Sequence, residues 1–199
     1  MGNIKTIQSG SKLETYTYDS LNQLVRVDSQ KANKSTTYSY DNRGNLLERK
    51  EYAYTTGTLG TATKTVSYAY GDSTWKDLMT SYSGQTITYD TIGNPLKYCE
   101  LTLTWEKGRR LKSASNGSES VTYTYDGKGM GRSKTAGGTE TSYVYEKGKL
   151  TREIRGSEKI DYLYGEDGII GIKVGGEKYL YRKNVFGDVT EIYNEAGRW

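Results

Sequence analysis

The stretch "TYSYDNRGNLLERKEYAYT", residues 37–55, carries the pattern that decides the fold. Tyr38 and Tyr40 stand two residues apart, Asp41 follows at once, and Gly44 comes three residues later. Side chains alternate between the two faces of a β-strand, so residues two apart lie on one face. An Asp side chain hydrogen-bonds amide groups two residues on, and glycine tolerates the positive φ that closes a turn. The stretch therefore predicts a strand, a turn and a returning strand.

The same pattern recurs along the chain. Tyr-x-Tyr pairs stand at 16/18, 38/40, 52/54, 68/70, 123/125, 143/145, 162/164 and 179/181. Two degenerate copies end at Tyr89-Asp90 and at Trp105-Glu106. The copies follow one another about every 20 residues, which is the length of one hairpin with its two turns. The longest interval, 40–70, contains the extra pair at 52/54 and a longer loop predicted at 55–62.

The turns between hairpins complete the prediction of the fold. They are recognisable at 29–35, 115–120, 136–140, 155–159 and 174–178, and the second of these contains the hairpin signal Asn116-Gly117. No window of the sequence shows helical periodicity. We predict an all-β chain of tandem antiparallel hairpins, with about 16–20 short strands in a curved or spiralling sheet. Residues 1–11 form an N-terminal lead-in, and residues 12–199 form a repeat region of about nine repeats.

Composition is compatible with such a fold. The chain has 199 residues, 34% of them hydrophobic, and its 20 tyrosines supply apolar area that its single phenylalanine does not. The net charge is +4 and mixed along the chain, which gives no reason to expect a nucleic-acid partner. No apolar run is long enough to cross a bilayer, and residues 1–14 have no signal-peptide core, so an export signal would lie outside this sequence.

The sequence offers no recognisable catalytic, cofactor or metal site. It has no histidine, and Cys99, its single cysteine, is predicted to be a strand residue beside Tyr98. The recurring aspartates are explained by the recurring turn. "GEDG" (165–168) and "GDS" (71–73) lack the ligand density of a calcium loop. "GKGMG" (127–131) lacks the strand–helix context of a phosphate loop.

The repeated Tyr-x-Tyr-Asp-x-x-Gly-x-Leu pattern resembles the YD-repeat, or Rhs-repeat, family from about Lys12 to Trp199. "YTYDGKGMGRSKTAGGTETSYVYEKGKL" (123–150) and "YLYRKNVFGDVTEIYNEAGRW" (179–199), with Gly187-Asp188 in its turn, look like late segments of that repeat region. Members include bacterial Rhs and wall-associated toxins, Tc-toxin cocoon subunits and teneurins. The resemblance implies a spiral β-sheet that forms a hollow shell, which in the toxin members encloses a C-terminal toxin domain.

The sequence also departs from the family pattern. It has no Asp-Pro dipeptide and ends at Trp199 before a closing region with a self-cleavage site, so no self-cleaving aspartate is carried over. The resemblance therefore implies part of a shell wall, without plug or cargo. A strip of sheet also has open edges, which favour self-association.

We accordingly predict a non-catalytic structural segment of a secreted or bacterial cell-surface protein. Its expected partners are further repeats or an enclosed toxin domain of a longer parent protein. The alternative is a cell-surface carbohydrate-binding or adhesion module, in which Trp75, Trp105 and Trp199, with a groove of tyrosines on the exposed sheet face, would stack on glycan rings. The residues predicted to define the repeat are Tyr16, Tyr18, Asp19, Tyr38, Tyr40, Asp41, Gly44, Tyr68, Tyr70, Tyr89, Asp90, Gly93, Trp105, Gly108, Tyr123, Tyr125, Asp126, Tyr143, Tyr145, Gly148, Tyr162, Tyr164, Tyr179, Tyr181, Gly187 and Asp188.

Overall fold

The computed structural model describes residues 2–194 and 196–197 of the chain. The chain divides into two compact units, Met1–Cys99 and Glu100–Trp199. The described residues form strands, turns and irregular segments without a helix. The predicted all-β architecture of tandem antiparallel hairpins is confirmed, and the 20 strands fall within the predicted range.

The first unit contains ten strands. The first eight pair antiparallel in chain order, and the last two form a short hairpin. The strands are β1 (Thr6–Ser9), β2 (Lys12–Tyr18), β3 (Leu24–Ser29), β4 (Lys34–Tyr40), β5 (Leu46–Ala53), β6 (Lys64–Ala69), β7 (Ser81–Tyr82), β8 (Gln85–Thr86), β9 (Thr88–Tyr89) and β10 (Pro95–Tyr98).

The second unit contains ten further strands, and each pairs antiparallel with the next along the chain. They are β11 (Leu101–Glu106), β12 (Arg110–Ser115), β13 (Ser120–Tyr125), β14 (Gly131–Ala136), β15 (Thr139–Glu146), β16 (Lys149–Arg155), β17 (Glu158–Gly165), β18 (Gly168–Val174), β19 (Glu177–Lys183) and β20 (Val189–Asn194).

The strand register places most of the paired tyrosines on one face, which we call the tyrosine face of each unit, whereas Tyr52 lies opposite Ser35 on the other face. Directly opposed residues of antiparallel strands lie on the same face. In the first unit, Tyr16 lies opposite Val27, which lies opposite Thr36. In the second, Tyr143 lies opposite Glu153, which lies opposite Ile160. On this face the tyrosine rings therefore lie beside aliphatic side chains such as Val27 and Ile160.

The opposite face is largely polar, although one row of the second unit runs from Leu163 through Gly171 to Leu180. One row across the second unit holds Arg152, Asp161 and Lys173, and Arg152 forms an ion pair with Asp161. Another row pairs Thr124 with Ser133, whose hydroxyl groups lie 2.8 Å apart. Thr, Ser and charged residues between the tyrosines thus give each strand the alternation of a two-sided sheet.

Few apolar side chains are fully buried. Among the described residues, Val66 and Ile87 are the buried apolar ones, at 2% and 3% exposure, and both belong to the first unit. The paired tyrosines are half-buried or close to it. Stability is therefore distributed along the sheet rather than concentrated in one core.

Two long irregular segments interrupt the first unit, at 54–63 and 70–80. The first contains the predicted loop at 55–62 and crosses the polar face. The Arg26 guanidinium donates to the carbonyl oxygens of Thr55 and Gly57, at 2.8 and 3.0 Å. The hydroxyl of Ser35, which is 0% exposed, donates to the Thr55 carbonyl at 2.8 Å. The second segment begins at Tyr70, and the sequence does not predict it.

Two expectations differ from the structure. Cys99 is not a strand residue: β10 ends at Tyr98, and Cys99 has a φ of +52°, a turn conformation for which cysteine gives no sequence signal. The lead-in at 1–11 contains β1, in which Thr6 pairs with Thr15 of β2. The stretch is polar because β1 is an edge strand with little apolar burial, so hydrophobic alternation does not reveal it.

Candidate functional site: the tyrosine rows and their turns

The turn after the tyrosine pair is held by one carboxylate. Asp41 Oδ1 accepts hydrogen bonds from the amide groups of Arg43 and Asn45, at 2.8 and 2.9 Å. The Asn45 side-chain amide donates to Asp41 Oδ2 at 3.0 Å. The backbone closes through Gly44 N–H to the Asp41 carbonyl, at 3.1 Å. Gly44 has a φ of +87°, which an L-residue reaches only at a cost.

The same arrangement recurs at Asp19, Asp90 and Asp126. Each carboxylate accepts amide hydrogen bonds from the residues two and four positions on, at 2.8–3.0 Å. The residue three positions on has positive φ in each copy, including Asn22 with +62°. Asparagine tolerates this conformation better than other non-glycine residues. The turn is therefore a repeated structural unit.

These hydrogen bonds shift the acid–base equilibrium of the turn. The pKa of Asp41 is lowered, chiefly by the hydrogen bond from the Asn45 side chain. The pKa of Asp126 is lowered, chiefly by the amide hydrogen bond from Met130. Both carboxylates are held in the charged form that the turn requires.

The last complete turn uses Asn184 in place of aspartate. Its Oδ1 accepts from the amide groups of Phe186 and Asp188, at 2.9 and 3.0 Å. Its side-chain amide donates to Asp188 Oδ2 at 2.9 Å, and Gly187 has a φ of +85°. The sequence analysis singled out Gly187-Asp188 but missed Asn184. The spacing Asn-x-x-Gly in "NVFG" is the signal that identifies it.

The turns at Lys107-Gly108 and Lys147-Gly148 are of another kind. Gly108 and Gly148 were predicted to define the repeat together with the glycines of the aspartate turns. In the structure, however, two successive residues have positive φ: +44° and +88° at Lys107 and Gly108, and +49° and +78° at Lys147 and Gly148. Successive positive φ values are typical of tight hairpin turns of type I′. In both turns the aspartate position is occupied by a glutamate, whose side chain is one carbon longer.

A β-bulge follows the turn in each regular hairpin. In the first, Tyr18 lies opposite Leu24 while Thr17 lies opposite Arg26, which leaves Val25 as the extra residue. The register shift recurs at 39/40, 104/105, 124/125, 144/145, 163/164 and 182/183. Bulges increase strand twist and reorient side chains. The sequence pattern does not reveal them, because the alternation of residue types continues across the shift.

The second tyrosine of a pair connects neighbouring hairpins. Tyr40 Oη donates to the Leu24 carbonyl at 2.8 Å. Tyr125 makes the same bond to Leu111 at 2.8 Å. The copies at Tyr18 and Tyr164 donate to the carbonyl oxygens of Ile4 and Leu150, at 3.0 and 2.8 Å. Three of the four acceptors are the leucine that follows a turn.

A cation covers the same ring in the second unit. The Arg110 guanidinium lies 5.9 Å from the Tyr125 ring centroid, and Lys149 Nζ lies 5.1 Å from that of Tyr164. Each cation immediately precedes the leucine whose carbonyl accepts the tyrosine hydroxyl. Such contacts contribute about 0.5–1 kcal/mol at exposed sites. We call the hydroxyl bond and the covering side chain together the tyrosine rung.

The first tyrosine of a pair behaves differently. Tyr16 Oη donates to Glu14 at 3.1 Å, and Tyr162 Oη donates to Glu153 at 2.6 Å. Burial raises the pKa of both hydroxyl groups, and the neighbouring carboxylates raise it further. Both phenols are thus kept protonated as hydrogen-bond donors, which is a structural role.

The other predicted residues fall into the same elements. Tyr68 contacts Tyr82 edge to face, with ring centroids 5.5 Å apart, whereas Tyr70 lies beyond the end of β6 in the irregular segment. The remaining aromatic positions lie in strands, and these are Tyr38, Tyr89, Trp105, Tyr123, Tyr143, Tyr145, Tyr179 and Tyr181.

The tryptophans do not share one environment. Trp75 packs in the 70–80 segment, where an ideal methyl group on Gly93 would lie 2.6 Å from its Cζ3. It is 49% exposed. Trp105 occupies the second aromatic position of β11, and Trp199 lies outside the described residues. Trp75 thus lies in a loop and Trp105 in a strand row, so the two tryptophans do not occupy equivalent positions of the repeat.

Within the described residues, no group of three or more Cys, Asp or Glu side chains is placed to hold a metal ion. The same part of the chain contains no helix long and apolar enough to cross a membrane.

Comparison with known proteins gives matches of sequence and of fold. A family model described as RHS Repeat matches residues 18–59. The chain is 31% identical to the tRNA3(Ser)-specific nuclease WapA of Bacillus spizizenii, over 91% of this chain and 8% of that protein. It is 29% identical to the tRNA nuclease WapA of Bacillus subtilis, with the same coverage. The chain thus spans under a tenth of the length of these relatives.

Two solved structures share the fold. A structure of the Photorhabdus luminescens Tc holotoxin pore superposes with a TM-score of 0.62 at 15% identity, over 99% of this chain and 12% of that one. A crystal structure of TcdB2-TccC3 gives a TM-score of 0.58 at 15% identity, over 94% of this chain and 12% of that one. At this identity the likeness shows the fold alone.

Proposed function

The chain belongs to the YD-repeat, or Rhs-repeat, family, and on that premise we propose that it is a non-catalytic stretch of the wall of an Rhs-type β-shell. In this proposal the shell belongs to a longer secreted or cell-surface protein and encloses a C-terminal toxin cargo. The tyrosine rung carries the proposal, because at Tyr125 and Tyr164 it joins one hairpin to the hairpin before it.

A wall needs such a connection. Within the described residues, paired strands are neighbours along the chain, so hairpins are stabilised by the hairpins next to them. The bond from Tyr125 to Leu111 adds a contact across that junction, and Arg110 covers the ring. A neutral hydrogen bond contributes about 0.5–1.5 kcal/mol net, and many repeats add up to a continuous sheet.

The relatives' length supports a longer parent protein. The chain matches 8% of each of the two Bacillus relatives, which are named as tRNA nucleases. We propose that the aligned repeats are scaffold in such proteins and that the catalytic segment lies elsewhere in them. The repeat-defining residues from Tyr16 to Asp188 would then have structural roles.

We propose the following organisation of the chain. Residues 12–199 form the repeat region, and residues 1–11 lead into it with β1. The strands at the ends of the sheets, such as β1, pair with further repeats of the parent protein or, in the isolated chain, with a second copy.

Fractionation of cells that make the parent protein tests the location and length. An antibody against this chain should detect, in the secreted or surface fraction, a protein many times larger than 22.3 kDa. Detection in the cytoplasm alone would contradict the proposal.

Protease digestion of the native parent protein tests enclosure. The cargo segment should resist protease concentrations that cut it readily once urea has unfolded the shell. Equal susceptibility before and after unfolding would show that the repeats enclose nothing.

A further inference from the structure

The turn between β12 and β13 contains hydrogen bonds that the tyrosine repeat does not explain. Asn116 Oδ1 accepts from the Ser118 amide at 3.1 Å, from the Ser118 hydroxyl at 3.1 Å and from the Glu119 amide at 2.7 Å. The Gly117 amide donates to Ser115 Oγ at 3.2 Å. The Ser115 hydroxyl in turn donates to the Glu119 carbonyl at 2.9 Å.

These contacts supply two conditions that favour asparagine cyclisation: hydrogen-bond donors at Oδ1 of Asn116 and an acceptor for the Gly117 N–H. The Gly117 nitrogen attacks Cγ of Asn116, a bond forms between these atoms, and the bond from Cγ to Nδ2 breaks. Ammonia leaves with the proton that the Gly117 nitrogen gives up. Water then opens the cyclic imide to leave aspartate or isoaspartate at position 116.

We propose that this turn is a self-modifying site that converts Asn116 to aspartate or isoaspartate faster in the folded chain than in the unfolded one. Negative charge develops on Oδ1 during the attack, and the three donors from Ser118 and Glu119 already point at that atom. Donors placed in advance lower such a barrier because they need no reorganisation.

Ser115 acts on the nucleophile. Its oxygen accepts the Gly117 N–H and therefore draws off the proton that must leave before the nitrogen attacks. Its own hydrogen bond to the Glu119 carbonyl makes the oxygen a better acceptor, as in other hydrogen-bond chains. Gly117 has no side chain to obstruct the approach, and its φ is +94°.

Asn184 provides a matched control within the same chain. Its Oδ1 also accepts two amide hydrogen bonds, from Phe186 and Asp188, at 2.9 and 3.0 Å. The next residue, however, is Val185, whose branched Cβ restricts the backbone and crowds the attacking nitrogen. Two asparagines with similar acceptor geometry thus differ in the residue that carries the nucleophile.

Conversion changes the hairpin. Aspartate adds one negative charge to the turn, and isoaspartate inserts an additional backbone carbon between Ser115 and Ser120, which pair directly across the turn. An added backbone atom is incompatible with that register, so the isoaspartate form loosens the end of the β12–β13 hairpin.

The test measures conversion by mass spectrometry of peptides from the full chain, incubated at mildly alkaline pH either folded or unfolded in urea. We expect Asn116 to convert about tenfold faster in the folded chain, less than an oxyanion donor gives in a water-excluded active site because this turn is exposed. We expect Asn184 to remain intact. Equal or slower conversion of Asn116 in the folded chain would overturn the proposal.

Two variants separate the roles. Ser118→Ala removes one donor to Oδ1, and Ser115→Ala removes the proton acceptor. Each should lower the ratio of folded to unfolded rates, while circular dichroism shows that the sheet is retained. A ratio that stays at the wild-type value in both variants would overturn the assignment of these two side chains.

Discussion

Substitution of Gly93 by alanine tests how the 70–80 segment is fixed to the repeat. Gly93 is the fourth residue of the Asp90 turn and has a φ of +86°. An added methyl group would lie 2.6 Å from Cζ3 and 3.1 Å from Cη2 of Trp75, so the indole ring must move. The ring lies outside the repeat pattern, and no sequence rule connects it to this turn.

Gly44 gives the control in the same unit. It is the corresponding residue of the Asp41 turn, its φ is +87°, and the nearest atom to an added methyl group is Nε2 of Gln23, at 3.2 Å. The end of a glutamine side chain moves easily. Both variants lose about 1–2 kcal/mol from placing an L-residue in the left-handed region.

The additional cost at Gly93 comes from Trp75. Trp75 is 49% exposed, so about half of its surface is buried, and displacement of the ring exposes that half to water. That is about 100 Å², or about 2.5 kcal/mol at about 25 cal/mol per Å². Gly93→Ala should therefore cost about 3.5–4.5 kcal/mol in unfolding free energy, against about 1–2 kcal/mol for Gly44→Ala.

Urea unfolding followed by far-ultraviolet circular dichroism measures both values. In a Trp75→Ala background, the cost of Gly93→Ala should fall to that of Gly44→Ala, because the obstructing ring is gone. Equal costs of the two glycine variants in the wild-type background would refute the packing of Trp75 on the turn.

Three further predictions concern the tyrosines and the turn carboxylates. Tyr125→Phe removes the hydroxyl bond to the preceding hairpin and should lower the free energy of unfolding in urea by about 0.5–1.5 kcal/mol. Tyr123→Phe is the control and should cost almost nothing, because Tyr123 makes no such bond among the described residues. Burial raises the pKa of Tyr162 above its ordinary 10.0, so its contribution to stability is complete below pH 10.0 and is lost as the pH rises through the folded-state value. Tyr162→Phe should therefore reduce the alkaline slope of unfolding free energy against pH, and an unchanged slope would contradict this. Amide hydrogen bonds lower the pKa of Asp126 below 3.8, so its contribution is present above pH 3.8 and is lost as the pH falls through the folded-state value. Asp126→Asn should remove that acid-dependent loss while the turn is kept, which an acid titration of unfolding free energy checks.

Much of the fold follows from local patterns. Tyr38 and Tyr40 lie in β4 and Asp41 in the turn, because strand alternation and side-chain capping act over a few residues. The family resemblance drawn from the same residues led to the correct fold class. Where a short turn joins two strands, their antiparallel pairing also follows, since the turn leaves no other arrangement.

The features that the sequence does not reveal depend on contacts between distant residues. The 70–80 segment is positioned by Trp75 against Gly93, and the 54–63 segment by Arg26 against Thr55 and Gly57. Hydrophobic periodicity reports only which face of a strand is covered, not which loop covers it.

The candidate site shows the same division. The aspartates were identified because their spacing is repeated, but the rung needs the structure. Tyr125 reaches the carbonyl of Leu111, 14 residues earlier, because β12 and β13 pair antiparallel and bring the two residues together. At Asn184, by contrast, the sequence does carry a signal, which is the spacing to Gly187. The signal is recognisable once the first residue of the turn is understood to act as a hydrogen-bond acceptor, a role that an uncharged asparagine also fills.

The central claim is that this chain is a stretch of wall whose sheet edges pair with further strands. Light scattering after size exclusion, at several concentrations of the purified chain, tests it most directly. The account predicts a mass above 22.3 kDa that rises with concentration, because the free edges pair between copies. A mass of 22.3 kDa at every concentration would show that the chain satisfies its own edges, and would contradict the account.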